Sequence, residues 1–410
     1  CCTFIGLYAC GSSDNETEIF NDYITSAQVL NKEAGDITVD NFTRQITIEL
    51  VKGQDKSDVR IRFQLAGGVS MVSPANAEAE YNLTSNATVK VSASGKELSF
   101  TIKSKDIEIE TPGTYKGWPL TTEYGSLPAG IAVYKSPATL QSKNAVAYIA
   151  VADIDQGKTF EVLGEATGIK TPTQFYESTG KVYPIIINGG YFWSTTNLSQ
   201  IVREGVMVVK NNQVVTRKDA ANLDASFYPT RGVFSHIKDK QYITDWVFTT
   251  VTPGTTYAYP APAPNKAGTN PMAVPSASYP SGSWEYKAKT AIGGGPVLVK
   301  GGVLKNTWEA ELYDTASGIG PTANNPRTAI GVTADNKLIL FVCEGRNQTP
   351  DTPGFTLDET ARIMMDLGCI EVLNLDGGGS TCMLVNGKVT IKPSDTGNAQ
   401  RSVASAVVLR

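Results

Sequence analysis

Short apolar runs, most of them cut off by glycine, recur along this chain and confine it to a largely β architecture. Ile370 to Leu375 reads as a buried strand and ends in Asp376-Gly377-Gly378-Gly379-Ser380-Thr381. Val182 to Ile187 ends in Asn188-Gly189-Gly190-Tyr191-Phe192, and Ala291 to Leu298 is a strand interrupted by Gly293-Gly294-Gly295. Pro326-Arg327-Thr328 opens a hairpin: Thr328 to Val332, a turn at Ala334 to Lys337, then Leu338 to Cys343 closing in Glu344-Gly345-Arg346. Arg401 precedes a last strand, Val403 to Leu409. Strand ends thus repeatedly place glycine beside Asn, Asp, Glu or Arg, and sites are commonly built where strands end.

The run at Asp376 has two readings. Glycines that reach positive φ can turn successive N–H groups toward one point and cradle an anion beside the carboxylate. The same run also fits a tight hairpin turn with a cap.

Two rhythms divide the chain. After a polar tether, short alternating strands (Gln45 to Val51, Val59 to Leu65, Thr88 to Val91, Glu97 to Lys103) are spaced by turns such as Gly67-Gly68 and Ser94-Gly95. Their lengths and lack of helical periodicity read as an immunoglobulin-like sandwich. The expected organisation is a leader remnant and tether over 1–18, a sandwich over 19–112 with a joint at Thr111-Pro112-Gly113, and a larger domain over 113–410. The fold class is α+β: mixed, largely antiparallel sheets with few helices, preceded by the small all-β sandwich. The clearest helix spans Leu357 to Leu367, started by a Thr356–Glu359 capping box and stopped by Gly368. That box accounts for Glu359 as a cap rather than a catalytic acid. Thr252 to Ser283, rich in Pro, Ala, Tyr and Gly, reads as a long loop of the kind that forms lids or binding loops or is simply mobile.

Phe4 to Ser13 reads as the end of a signal peptide with a bacterial lipobox, Leu7-Tyr8-Ala9-Cys10. The expectation is a lipid-anchored cell-envelope protein with Cys10 lipidated and Cys1 and Cys2 removed. Cys343, Cys369 and Cys382 then remain, as buried thiols or as one bridge plus a spare. A formal net charge of −4 with no dense Lys/Arg run argues against general nucleic-acid binding. The one histidine, His236, removes His-rich zinc sites and leaves a Ser-His-Asp triad nothing else to use. No nucleotide-binding P-loop occurs. What remains is carboxylate, Arg, Asn and backbone N–H, which suffices for glycosyl transfer to water.

Asn188 to Phe192, Gly293-Gly294-Gly295-Pro296, Arg327 to Gly331 and Asn374 to Ser380, in this order, resemble the phosphodiester glycosidase family over roughly Ala145 to Arg410. Where that family usually has Asp-Gly after the second hairpin strand, this chain has Glu344-Gly345. The resemblance implies hydrolysis of a sugar-1-phosphodiester, such as an N-acetylglucosamine-1-phosphodiester, to free sugar and phosphomonoester, with no cofactor and no metal. Asp376 is then nucleophile or base and Glu344 the second carboxylate. Arg327 and Arg401 clamp the phosphate, with help from Thr328 and from N–H groups around Gly294, Gly377 and Gly378. Asn188 and Gly189 meet the sugar. Ser380 and Thr381 hydrogen-bond the phosphate or cap the turn, and either arginine could instead pair with Asp376 or Glu344. Two other classes remain open: a glycan-binding lipoprotein without catalysis, and a metal-assisted phosphodiesterase using Asp376 and Glu344.

Overall fold

The computed structural model describes residues 22–107, 113–252 and 254–410. Cys10, the tether and Thr111-Pro112 lie outside the described residues. The described chain falls into two compact units, one on either side of residue 109.

In the first unit, strict alternation of apolar and polar residues lets one face of each strand be buried. Ile46, Ile48 and Leu50 of one strand point inward with Val59, Ile61 and Phe63 of another and with Phe100 and Ile102. The strands form a three-stranded and a five-stranded sheet sharing that core, with Gln45–Val51 and Lys96–Ile107 running parallel. An all-β sandwich is what the period-2 pattern dictates.

The second unit is also mostly strand, with two α-helices among the described residues. One seven-stranded antiparallel sheet carries Arg327–Thr333 at its centre, flanked by Lys337–Cys343 and Cys369–Asn374. A second seven-stranded sheet contains Ile201–Arg203, Thr290–Gly293, Arg231–Lys238 and Gln241–Thr249. A five-stranded sheet pairs Ile185–Asn188 with Ser405–Leu409 and Met383–Val385. The hairpin and the strands before Asn188, before Asp376 and after Arg401 form as their sequences suggest.

The helix Leu357–Asp366 carries the full capping box, with Thr356 Oγ1 accepting from Glu359 N at 3.2 Å and the Glu359 carboxylate accepting from Thr356 N at 2.9 Å. Leu357, Ala361 and Met364 bury its inner face, each larger side chain contributing about 2 kcal/mol of apolar burial. Glu359 also pairs with Lys143, so its role is structural. The three described cysteines are free and buried.

The segment from Ala291 to Leu298 is two strands rather than one. Thr290–Gly293 belongs to one seven-stranded sheet and Val297–Lys300 to the other. Glycine is required at this crossing because three sheets nearly touch. A Cβ on Gly293 would lie 2.3 Å from Gln200 N, one on Gly294 would lie 2.5 Å from Asn374 O, and one on Gly190 would lie 2.4 Å from Gly293 O. Backbone hydrogen bonds stitch the corner: Gly294 N to Gly232 O, Gly295 N to Asn374 O, and Asp376 N to Gly189 O. The glycine-rich motifs are therefore close-approach points first, and they bring the strand ends carrying Asp376, Tyr191 and Arg231 round one hollow.

Candidate active site

The hollow is a cavity of about 670 Å³, within the range of small-molecule sites. Asp376, Asn374, Tyr191, Tyr313 and five arginines line it. Asp376 is the one carboxylate among the described lining residues. It is half-buried, with part of the residue open to the cavity and protein packed densely round the rest. That burial pushes its pKa up to about 6, against lowering influences from the Ser380 hydroxyl, the Gly377 N–H and Arg401. The Gly377 N–H donates to Oδ1 at 2.9 Å. Ser380 Oγ approaches the carboxylate without meeting it in full hydrogen-bond geometry, and is buried with no protein partner.

Two cations reach over the glycine turn. A Cβ on Gly379 would fall 2.2 Å from the terminal nitrogen of Arg401, and one on Gly378, which has φ +59°, would fall 2.8 Å from that of Arg346. Glycine is needed here so that guanidinium groups can lie against the backbone. Arg401 is held through Nε by Asp395 at 2.7 Å. Arg346 is exposed and held by neutral partners, Asn325 Oδ1 at 3.2 Å and Ser394 Oγ at 3.5 Å.

The anion-cradle reading of the turn is narrowed by its hydrogen bonds. The N–H groups of Gly377, Gly378, Ser380 and Thr381 are already taken, by Asp376, Pro326, Gly377 and Gly378 respectively. Gly377 and Gly378 line the cavity, but the positive charge comes from arginine side chains. Gly294 gives its N–H to Gly232 and is likewise unavailable to a phosphate.

Arg327 is revised in the same way. It is 2% exposed and spends its donors on carbonyls: Phe355 (2.8 Å), Ile319 (3.1 Å), Gly320 (2.7 Å) and Ala323 (2.7 Å). Burial lowers its pKa to about 10. Its work is to fold the 319–323 loop against the cavity rather than to clamp a ligand. Glu344 does not line the cavity; its carboxylate accepts from Thr349 N at 3.1 Å and Lys392 N at 2.9 Å. Nor does Asn188 face a sugar. It is fully buried, donates to Asp376 O at 2.7 Å, and accepts from Thr328 Oγ1 at 2.9 Å and Cys382 N at 3.2 Å. Thr328 and Thr381 complete this network behind the glycine turn, 3.4 Å apart. Gly189 supports the same turn by accepting from Asp376 N. His236 stacks on Tyr242 away from this cavity, with ring centroids 4.4 Å apart.

Several lining residues carried no role in the sequence reading. Asn374 donates to Tyr191 Oη (2.8 Å) and Gly295 O (3.0 Å), while its Oδ1 is buried without a partner. Tyr191 and Tyr313 pack at 5.2 Å between centroids and donate to Gly295 O and Gly294 O, both at 2.6 Å. Burial holds the Tyr191 hydroxyl well above its ordinary pKa, so it stays neutral. Trp193 stands at the rim, 78% exposed. Tyr191, Asn374 and Arg346 lay inside recognisable motifs and could have been singled out. Arg231 and Tyr313 come from segments with no motif. No residue of the 254–283 segment lines the cavity. That segment is tied down elsewhere, for example by Ala263 N to Thr230 Oγ1 at 2.9 Å, so it is not the lid its composition suggested.

Residues 181–410, more than half of the chain, match the sequence profile of the phosphodiester glycosidase family, and the chain belongs to that family. Among characterised relatives, mouse and human N-acetylglucosamine-1-phosphodiester alpha-N-acetylglucosaminidase are each 36% identical over 69 residues, 17% of this chain and 13% of the relative. A prophage-derived protein of Bacillus subtilis is 32% identical over 85 residues, 21% of this chain and 13% of that one. The aligned stretch thus spans about an eighth of each relative's length. Among solved structures, the zebrafish N-acetylglucosamine-1-phosphodiester alpha-N-acetylglucosaminidase catalytic domain, auto-inhibited by its pro-peptide, gives a TM-score of 0.46 at 16% identity, covering 70% of this chain and 85% of that one. A hypothetical protein from Synechocystis gives 0.46 at 15% identity, covering 94% and 80%.

Proposed function

We propose that this chain cleaves the glycosidic bond of a sugar-1-phosphodiester, releasing free sugar and a phosphomonoester. The observation that carries the reading is a single cavity carboxylate, Asp376, facing Arg401 and Arg346 across a turn of three glycines. With a pKa of about 6, Asp376 is ionised at neutral pH yet basic enough to take a proton from water or to attack C1 itself. A phosphomonoester leaving group has a low pKa and departs without a proton from a second carboxyl group. Arginine stabilises its growing charge instead, through paired N–H donors. The glycosidic bond between C1 and oxygen breaks, its electron pair leaves with the phosphate oxygen, and water supplies the hydroxyl at C1. Asn374, with Tyr191, lines the cavity beside Asp376, and the Ser380 hydroxyl and Gly377 N–H favour the ionised form of that carboxylate.

Hydrolysis in ¹⁸O-water tests the bond. Label in the sugar is expected. Label in the phosphate means attack at phosphorus, and overturns the reading. Binding without any product, unchanged by Asp376→Asn, would instead mark a glycan-binding protein.

A further inference from the structure

We propose that the substrate carries a second anionic group, a carboxylate or phosphate, bound by Arg231 at the inner end of the cavity. The inference rests on the phosphodiester reading and narrows its substrate class. Five arginines line the cavity, and their partners separate them. Arg217 pairs with Asp314 at 2.8 Å and Arg401 with Asp395 at 2.7 Å. Arg327 is occupied by carbonyls, and Arg346 is exposed at the glycine turn.

Arg231 is different. It is 6% exposed and forms no ion pair among the described residues. One terminal nitrogen donates to the Glu311 carbonyl, and the guanidinium carbon lies 4.3 Å from the centre of the Tyr313 ring. The neighbouring Glu311 carboxylate lies behind the cavity wall. Its oxygens are filled by Gly232 N (2.7 Å), Val297 N (2.9 Å), Trp246 Nε1 (2.9 Å) and Thr307 Oγ1 (2.6 Å). Glu311 balances the buried guanidinium at a distance, since burial pushes its carboxyl pKa up and Arg231 pulls it down. Among the described residues no carboxylate oxygen meets the fork directly, and an oxyanion entering the cavity would supply that direct partner. Stacking on Tyr313 fixes the plane of the fork, the geometry that suits a two-oxygen partner.

Position argues for a second group rather than the scissile phosphate. Along the wall, Asn374 meets the Tyr191 hydroxyl at 2.8 Å, the Tyr191 and Tyr313 rings meet at 5.2 Å, and Arg231 lies beyond. Two aromatic rings therefore separate Arg231 from the turn where Arg401 and Arg346 meet the reacting phosphate. A sugar lying along those rings would carry its own charge to Arg231, or a charged aglycone would reach there with the sugar reversed.

Three substrates decide the matter with the wild-type protein: a neutral hexosyl-1-phosphate methyl ester, the corresponding uronosyl ester, and the neutral hexosyl ester of phosphoglycolate. One charged substrate is expected to exceed the neutral one in kcat/KM by roughly tenfold or more, the scale of a charge-assisted hydrogen bond. Which one does so identifies whether the charge sits on sugar or aglycone. Arg231→Gln should erase that preference, and Arg231→Lys should retain part of it. Equal kcat/KM for all three in the wild type overturns the proposal, while turnover of the neutral ester leaves the phosphodiester reading standing. If none turns over, calorimetric binding of the three to Asp376→Asn protein gives the same comparison; equal or absent binding overturns the proposal.

Discussion

Two acids leave the same end of one sheet from strands either side of a shared neighbour, each followed by glycine, and only one of them faces the cavity. Glu344 ends Lys337–Cys343 and Asp376 follows Cys369–Asn374, and these strands flank the one that begins at Arg327. Their glycines even press on the same residue from two directions: a Cβ on Gly345 would lie 2.5 Å from Pro326 N, and one on Gly377 would lie 2.8 Å from Pro326 O. The carboxylates diverge in their donors. Glu344 is buried and met by two main-chain N–H groups from separate loops, so its charge holds those loops in place. Asp376 receives one N–H from its own neighbour and is left with a raised pKa and an open side. An acid at a strand end is available for chemistry only when the fold leaves its oxygens unfilled.

The largest expected effect tests that contrast directly. Asp376→Asn keeps the shape and removes the charge, and is expected to lower kcat by about a thousandfold or more, the scale for losing a principal catalytic group. Glu344→Gln should keep kcat within about tenfold while losing roughly 1–3 kcal/mol of stability as its charged acceptor is lost. Steady-state kinetics and denaturant unfolding of both variants would break the comparison if Glu344→Gln abolished turnover at unchanged stability.

The arginines sharpen it next. Arg401→Lys is expected to lose activity by roughly ten- to a hundredfold with little change in unfolding, because Lys keeps the charge but not the planar fork. Arg327→Lys should show the opposite split. Lys cannot satisfy four carbonyls, and roughly 1–3 kcal/mol of stability should go with each group left unmet. Parallel losses of kcat and stability in both variants would dissolve the distinction between clamp and scaffold.

The sequence carried the strands and the helix because both signals are local. Alternation in Gln45–Val51 fixes a half-buried strand, and Thr356 with Glu359 fixes a helix start, whatever surrounds them. The family motifs also converge on one corner of the molecule, round the cavity at Asp376. What they could not supply was direction. Asn188, Thr328 and Arg327 sit in those motifs because the corner must be stitched together, and whether a polar side chain faces inward or outward depends on sheets joined far apart in sequence. Arg231 and Tyr313 were invisible for the complementary reason: Arg231 lies 39 residues after Phe192, and Tyr313 sits between the motifs ending at Pro296 and starting at Arg327, neither with a local pattern of its own. The Gly293-Gly294-Gly295 run was legible as special, but its purpose, a crossing between sheets, needed the Cβ distances.

A pH profile probes Asp376 further. If its carboxylate must be ionised, kcat/KM should fall about tenfold per pH unit below about pH 6 and level off above it. A break near pH 4 would mean that solvent in the cavity removes most of the burial effect. No acid limb at all would remove Asp376 from proton transfer.

The smallest effect is on stability, and its sign separates the two carboxylates again. The folded state raises the Asp376 pKa from 3.8 to about 6, so it holds the proton more tightly than the unfolded chain. Near pH 3 neither state is ionised and the shift costs nothing. As pH rises between those values the unfolded chain ionises first and stability falls, and above about 6 the full penalty is present. The whole shift corresponds to about 3 kcal/mol, and cavity water screens a half-buried group, leaving about 1 kcal/mol. Asp376→Asn has no charge to bury. It should therefore melt higher than the wild type at pH 8, with the difference closing by pH 4, while Glu344→Gln melts lower at pH 8. Calorimetric scans of the three proteins at both pH values check this. A pH-independent gap, or an Asp376→Asn protein less stable at pH 8, would show that the Asp376 charge is held by its surroundings as firmly as that of Glu344.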